Sequence, residues 1–207
     1  MCFPRGETGA GVRGDRGWAA ATVLRGHRAL AHAQVIGEAD APYAPGLLAL
    51  REGALLETAV RALAVAPDVL LVDATGRDHP RRAGLALHLG AVVGLPTVGV
   101  THQPLLAHGA WPDDVRGATA PLLLDGTVVG MWLRTRPGAR PLAVHAAWQT
   151  DVNVAVAVVL AAARGSPRER AQAAIRGRGA QLPRELCEPG LSGLPRFDLD
   201  LIAHHPR

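Results

Sequence analysis

The chain has 207 residues, 48% of them hydrophobic and only 3% aromatic, which suits one domain with a sizeable aliphatic core. Its 22 basic and 18 acidic residues leave a net charge of +4, a mild preference for an anionic partner, and every basic residue is arginine. Cys2 and Cys187 stand alone without metal-ligand spacing, which argues against a disulfide framework and a zinc site. No apolar run reaches a membrane span and the first residues lack a secretory apolar region, so a cytoplasmic protein without membrane contact is expected.

In chain order, residues 1–16 carry little apolar pattern and are expected to form an irregular arm. Trp18–Leu24 and Ala29–Ile36 read as strands joined by a turn at Arg25-Gly26-His27, an antiparallel hairpin. Pro45–Ala64 reads as a helix with Pro45 in its first turn; Leu48, Leu55, Leu56, Val60 and Leu63 recur at helical spacings, and Pro67 lies beyond the end. Val69–Val72 is apolar throughout, as a strand buried on both faces requires. Arg81–Leu89 predicts a short helix closed by Gly90, and Pro96–Val100 a second buried strand. Strand, helix and strand in this order imply a parallel pair with a crossover helix. Leu122–Leu124 and Val128–Arg134 flank Asp125-Gly126, a hairpin-turn dipeptide, and Leu142–Trp148 is a further strand. Val152–Ala163 is an apolar helix with Asp151 placed to cap it. The expected organisation is an irregular arm over 1–16, one α/β domain over 17–176 with a mixed sheet flanked by helices, and a weakly ordered tail over 177–207.

Chemistry concentrates between Pro42 and Gly90. The chain's only tyrosine, Tyr43, sits between Pro42 and Pro45, with Gly46 next and Glu52 on the helix that follows. Asp73 ends an apolar strand and opens into Gly76, His79 and Pro80. A rigid aromatic tip together with a strand-end carboxylate and a helix carboxylate suggests metal-assisted phosphodiester chemistry on a nucleic acid. Gly76 is expected to allow either close backbone approach or a positive φ. On the residues alone, plainer readings stay open. Glu52 can be a solvated helix charge paired with Arg51, Asp73 a turn cap, Tyr43 a half-buried turn residue, and His79 a hydrogen-bonded turn histidine.

The segments PYAPGLLALRE, LLVDATGRDHPRRAGLALHLG and LPTVGV, in this order and spacing, resemble the endonuclease V family. Weaker similarity lies at GDRGWAAATVL and GMWLRTRPGARPL, and the resemblance covers roughly residues 14–163. It implies a ribonuclease H-like fold and a monomer that nicks DNA or RNA near deaminated bases, chiefly hypoxanthine, in DNA repair, with Mg²⁺ as cofactor and Mn²⁺ as an alternative ion. It also implies Glu52 and Asp73 as catalytic metal ligands. Tyr43, with Pro42, Pro45 and Gly46, matches the family's wedge, which fills the space left by an extruded base. Gly76 and His79 match the segment near the lesion pocket.

Three positions depart from the family pattern. Its N-terminal strand aspartate falls on Gly9, its strand-end lysine on His102, and its late histidine on Trp148. His102 can donate a hydrogen bond to phosphate but brings no fixed charge. Glu7, Asp15, His145 and Asp151 are the residues placed to stand in for the missing ligands. The sequence therefore supports a divergent nuclease with a reduced ligand set, a lesion-binding relative that does not cut, or a decayed gene product.

Overall fold

The computed structural model describes residues 1, 3, 11–26 and 28–163; the tail and most of the arm, with Glu7, Gly9 and His27, lie outside the described residues. Two compact units divide between Pro67 and Asp68.

The first unit is a hairpin covered by a helix. Strands β1 (Arg16–Arg25) and β2 (Arg28–Glu38) pair antiparallel from Arg16↔Glu38 to Arg25↔Arg28, with an irregularity between Val23 and Leu24. Gly17 faces Gly37 across the pair, and a Cβ on either would meet the side chain of Leu55 from helix α1 (Leu48–Arg61). Leu55 drops into that notch and forms a core with Ala19 and Ala59, against which Val35 and Leu56 pack. The helix begins at Leu48 and not at Pro45. Leu47 N donates to the Ala44 carbonyl at 3.0 Å and Gly46 has φ 73°, so Ala44–Leu47 close a turn. Proline at its second position and a positive-φ glycine at its third are the type II pattern, which claims Pro45 for the turn.

The second unit holds β3 (Leu70–Val72), α2 (Leu85–Val93), β4 (Thr97–Thr101), β5 (Thr119–Leu124), β6 (Thr127–Leu133), β7 (Leu142–Ala146) and α3 (Val152–Ala162). Its five-stranded sheet runs β3-β4-β7-β6-β5. Strands β3 and β4 are parallel and connected through α2, as predicted, and the other neighbours are antiparallel. Asp125 (φ 49°) and Gly126 (φ 74°) make the expected hairpin turn, whose two central residues both need positive φ. Val98, Val100, Leu142 and Val144 alternate onto one face and pack with Leu133 against Ala155 and Val159 of α3. Burial of each such Val or Leu contributes about 1.5–3 kcal/mol. Asp151 caps α3 as expected, its Oδ1 accepting from Asn153 N and Val154 N, both at 2.8 Å.

Helix α2 differs from its prediction at both ends. Arg82 has φ 55° and Gly84 is extended, so residues 81–84 form a turn and the helix starts at Leu85. It continues past Gly90 to Gly94 (φ 74°), where Gly94 N and Leu95 N both bond the Gly90 carbonyl, at 2.9 and 3.2 Å. Gly90 serves packing instead: a Cβ there would run into Thr97 and Trp148. No helix among the described residues is long and apolar enough to cross a membrane.

Candidate active site

Asp73 follows the end of β3 and His102 the end of β4. Because these strands are parallel neighbours, both residues leave the sheet at its carboxyl rim, the place where open α/β sheets bind ligands. The loop after Asp73 lies flat on the sheet because two glycines make room. A Cβ on Gly99 would strike the Ala74 carbonyl oxygen, and one on Gly76 that of Ala146. Gly76 therefore serves close approach; it is not among the glycines with positive φ. Gly84 N to Gly76 O (2.7 Å) and Ala86 N to Thr75 O (3.2 Å) close the loop against the start of α2. The Asp73 side reaches solvent, yet enough protein surrounds its carboxyl that burial pushes the pKa above the usual carboxylate range, while His102 pulls the other way.

His79 is buried, and its Nδ1 accepts from Arg81 N at 3.2 Å, which locks the turn. Beside it lies Asp78, which the sequence reading passed over. Asp78 is fully buried and accepts from the backbone of Leu105 (2.6 Å), Leu106 (2.8 Å) and Ala107 (2.7 Å). Three charge-assisted bonds pin the loop after β4 to the loop after β3, so the segments carrying His102 and Asp73 form one braced rim. An aspartate between Arg77 and His79 has no local signal that separates it from an ordinary turn residue.

In the first unit Tyr43 is 54% exposed, with Pro42 and Pro45 also exposed and Gly46 half-buried. Tyr43 N donates to the Gly11 carbonyl at 2.8 Å. The base of this loop is held by Arg51, which is buried. Its Nη1 donates to the carbonyls of Val12 (2.9 Å) and Ala41 (3.0 Å), its Nη2 to Asp15 Oδ2 (2.7 Å), and its guanidinium stacks on Phe3 at 4.1 Å. The suggested pairing of Arg51 with Glu52 is thus replaced: Arg51, Leu55 and Ala59 share the buried stripe of α1, and Glu52 sits one position round, half-buried. An arginine four residues before a core leucine was the available signal.

The candidate replacement ligands have other work. The hydrogen bond from Arg51 holds the Asp15 carboxyl below the usual carboxylate range. Asp151 caps α3. His145 is fully buried, its Nε2 at 2.9 Å from Thr101 Oγ1. The Thr101 hydroxyl donates to the Gln103 carbonyl at 2.7 Å, so the imidazole supplies the proton from Nε2 and keeps a bare Nδ1. Burial pushes its pKa down to about 4, against a smaller opposing effect of Asp78. Glu7 lies outside the described residues. Glu52 and Asp73 are hard oxygen donors of the class Mg²⁺ takes, and they belong to different units. Among the described residues no group of three or more His, Cys, Asp or Glu stands together, so the donor type fits the ion but no full ligand set is gathered.

Fold and rim define an α/β protein that presents a carboxylate and a histidine at the carboxyl ends of a parallel strand pair. The Endonuclease V family model matches residues 10–173, and the chain belongs to the endonuclease V family. Endonuclease V of Roseiflexus sp. (strain RS-1) is 44% identical over 133 residues, 63% of this chain and 60% of that protein. That of Nocardia farcinica is 51% identical over 102 residues, 48% of this chain and 44% of the relative. The chain therefore spans about 60% or less of these relatives' lengths. Among solved structures, endonuclease V from Streptomyces avermitilis superposes with a TM-score of 0.66 at 34% identity, covering 81% of this chain and 82% of that one. The catalytic domain of human endonuclease V gives 0.67 at 34% identity, covering 79% and 74%. The mixed sheet flanked by helices expected from the sequence is borne out.

Proposed function

We propose that this chain is an endonuclease that nicks DNA or RNA near deaminated bases, using Asp73 and Glu52 to hold Mg²⁺ or Mn²⁺. The observation that carries this reading is Asp73 at the end of a parallel strand, beside His102 on a rim braced by Asp78. A family member from Ciona intestinalis, similar in fold at 20% identity, is known in complex with a 24mer DNA containing an inosine followed by a ribo-adenosine. Family membership brings that substrate class to this chain. The ion, when bound, supplies activation of water and stabilisation of the leaving oxygen. The chain's own residues do the rest. His102 donates to phosphate next to Asp73. Gly76 keeps the loop surface low, and His79 fixes its turn. Tyr43, displayed on a proline-stiffened loop, fills the space left by an extruded base, which offsets part of the few kcal/mol of lost stacking. The same reading makes the core ribonuclease H-like, a single domain over 17–176, and the protein a cytoplasmic monomer in DNA repair.

A lesion-binding relative that does not cut is the second reading. It is favoured by the engagement of Asp15, His145 and Asp151 elsewhere in the fold. One experiment separates the two. Pure protein is incubated with a labelled duplex holding one inosine, and with its single-stranded DNA and RNA counterparts, in Mg²⁺, Mn²⁺ or EDTA, beside Asp73→Asn. Metal-dependent nicking near the inosine that disappears in the variant supports the nuclease. A folded protein that leaves every substrate intact, but whose affinity for inosine falls in Tyr43→Ala, is the binding relative. Neither nicking nor lesion preference sinks both.

A further inference from the structure

The loop between β4 and β5 keeps Trp111 56% exposed, and that exposure is held in place by the backbone around it. The carbonyl of Gly109 accepts from Trp132 Nε1 at 3.1 Å. The carbonyls of Pro112 and Asp113 accept from Arg134 at 3.3 and 3.4 Å, and the Asp114 carboxylate pairs with Arg134 at 3.2 Å. Both sides of Trp111 are thus tied to β6 and the residue after it. The indole meets Trp132 edge to face, with centroids 6.4 Å apart at 72°, and the guanidiniums of Arg134 and Arg140 lie 6.0 and 5.8 Å from its centroid. A fold that fixes the chain on both sides of its largest apolar side chain, yet leaves more than half of it in water, is displaying that side chain.

We propose that Trp111 is a second nucleic-acid contact, a stacking platform for an unpaired base whose phosphate is taken by Arg140. An indole face accepts any base, so the contact reads no sequence. Arg134 is committed to carbonyls and Asp114, whereas Arg140 is only half-buried and brings its guanidinium beside the indole. Its planar fork suits a phosphate. The platform is continuous with the rim, since Asp78 pins residues Leu105 to Ala107 of the same loop to the loop that carries Asp73. This inference rests on the reading of the chain as a nucleic-acid protein, and it adds a contact that needs no lesion.

The test is the affinity of labelled single-stranded DNA without inosine, measured by fluorescence anisotropy in EDTA over a range of salt. Trp111→Ala should weaken binding about 5- to 100-fold, and Trp111→Phe should keep most of it. Arg140→Gln should weaken binding and flatten the salt dependence by about one phosphate contact. Unchanged affinity in folded Trp111→Ala overturns the proposal and leaves another kind of partner for this surface. Asp73→Asn is the control for the cleavage reading. If wild type fails to nick while the Trp111 series behaves as stated, the nuclease falls and the platform stands.

Discussion

Arg51 carries a full charge on the buried stripe of α1, a placement that is costly unless hydrogen bonds replace those that water gave. Two carbonyls and the Asp15 carboxylate supply them, and they join residues 12–15, the loop at Ala41 and the helix into one piece. Arg51→Ala removes three hydrogen bonds at once, leaving Asp15 Oδ2 only its bond from Val12 N, and is expected to destabilise the protein by about 2–4 kcal/mol in urea unfolding. Arg51→Lys should recover only part of this, because an ammonium cannot reach in both directions as the planar fork does. Ala41 lies two residues before Tyr43. Both variants should therefore weaken lesion affinity beyond what their stability explains, a difference readable by binding at a temperature where each is folded. Asp15 adds a pH signature. Its native pKa is depressed, so its ion pair contributes above the ordinary value of 3.8 and is lost as pH falls through the lower native value.

At the scale of elements, the position of Asp73 depends on how closely its loop approaches β4. A methyl group on Gly99 would strike the Ala74 backbone, which has no rotamer by which to move aside. Gly99→Ala is expected to cost about 1–3 kcal/mol by overpacking and to cut nicking although no reactive side chain changes, checked by thermal melts beside the cleavage assay. Asp151→Ala removes two capping bonds from α3 and should cost about 1 kcal/mol with cleavage unaffected at a temperature where the variant is folded. The elements themselves were legible where one physical signal dominated: apolar runs for β3 and β4, Asp125-Gly126 for the β5–β6 hairpin, Asp151 for α3. Boundaries slipped where two signals competed. Gly90 and Gly94 both resemble helix ends, and the positive φ of Gly94 together with the packing of Gly90 against Thr97 and Trp148 shows which one stops α2. Pro45 suits a helix start and a turn equally, and the positive φ of Gly46 decides for the turn. Arg51 and Asp78 stayed hidden because their partners lie 10 to 39 and 27 to 29 residues away, beyond any local pattern.

Over the whole molecule, the response to acid follows from where an ionisable ring has been buried. His145 sits in the middle strand of the five-stranded sheet, opposite Gly99 on one side and Gly130 on the other. A Cβ at Gly130 would come within 3.2 Å of its Nδ1, so the ring is closely packed on its unprotonated side. Its native pKa is about 4, below the ordinary 6.5, because burial disfavours the charged form. The unfolded chain takes up a proton as pH falls below about 6.5 while the native chain does not, so stability is fully present above that value and declines until the native ring titrates near 4. The shift corresponds to about 3 kcal/mol, a large share of the 5–15 kcal/mol that holds a typical protein folded. Urea midpoints followed by tryptophan fluorescence should fall steadily from about pH 7 to about pH 4.5, since Trp132 and Trp148 lie in the same unit as His145. His145→Gln keeps an amide donor for Thr101 and removes the titration; its midpoint should be lower at neutral pH but nearly flat across this window. Asp15 does not confuse the result, because its loss begins only below the ordinary carboxylate value, and the opposing contribution of Asp73, whose carboxyl pKa burial raises, is removed by measuring the series in Asp73→Asn. A wild type as stable at about pH 4.5 as at neutrality would mean that the imidazole is not held neutral in the sheet, its Nδ1 taking up a proton in the native state while Nε2 still donates to Thr101.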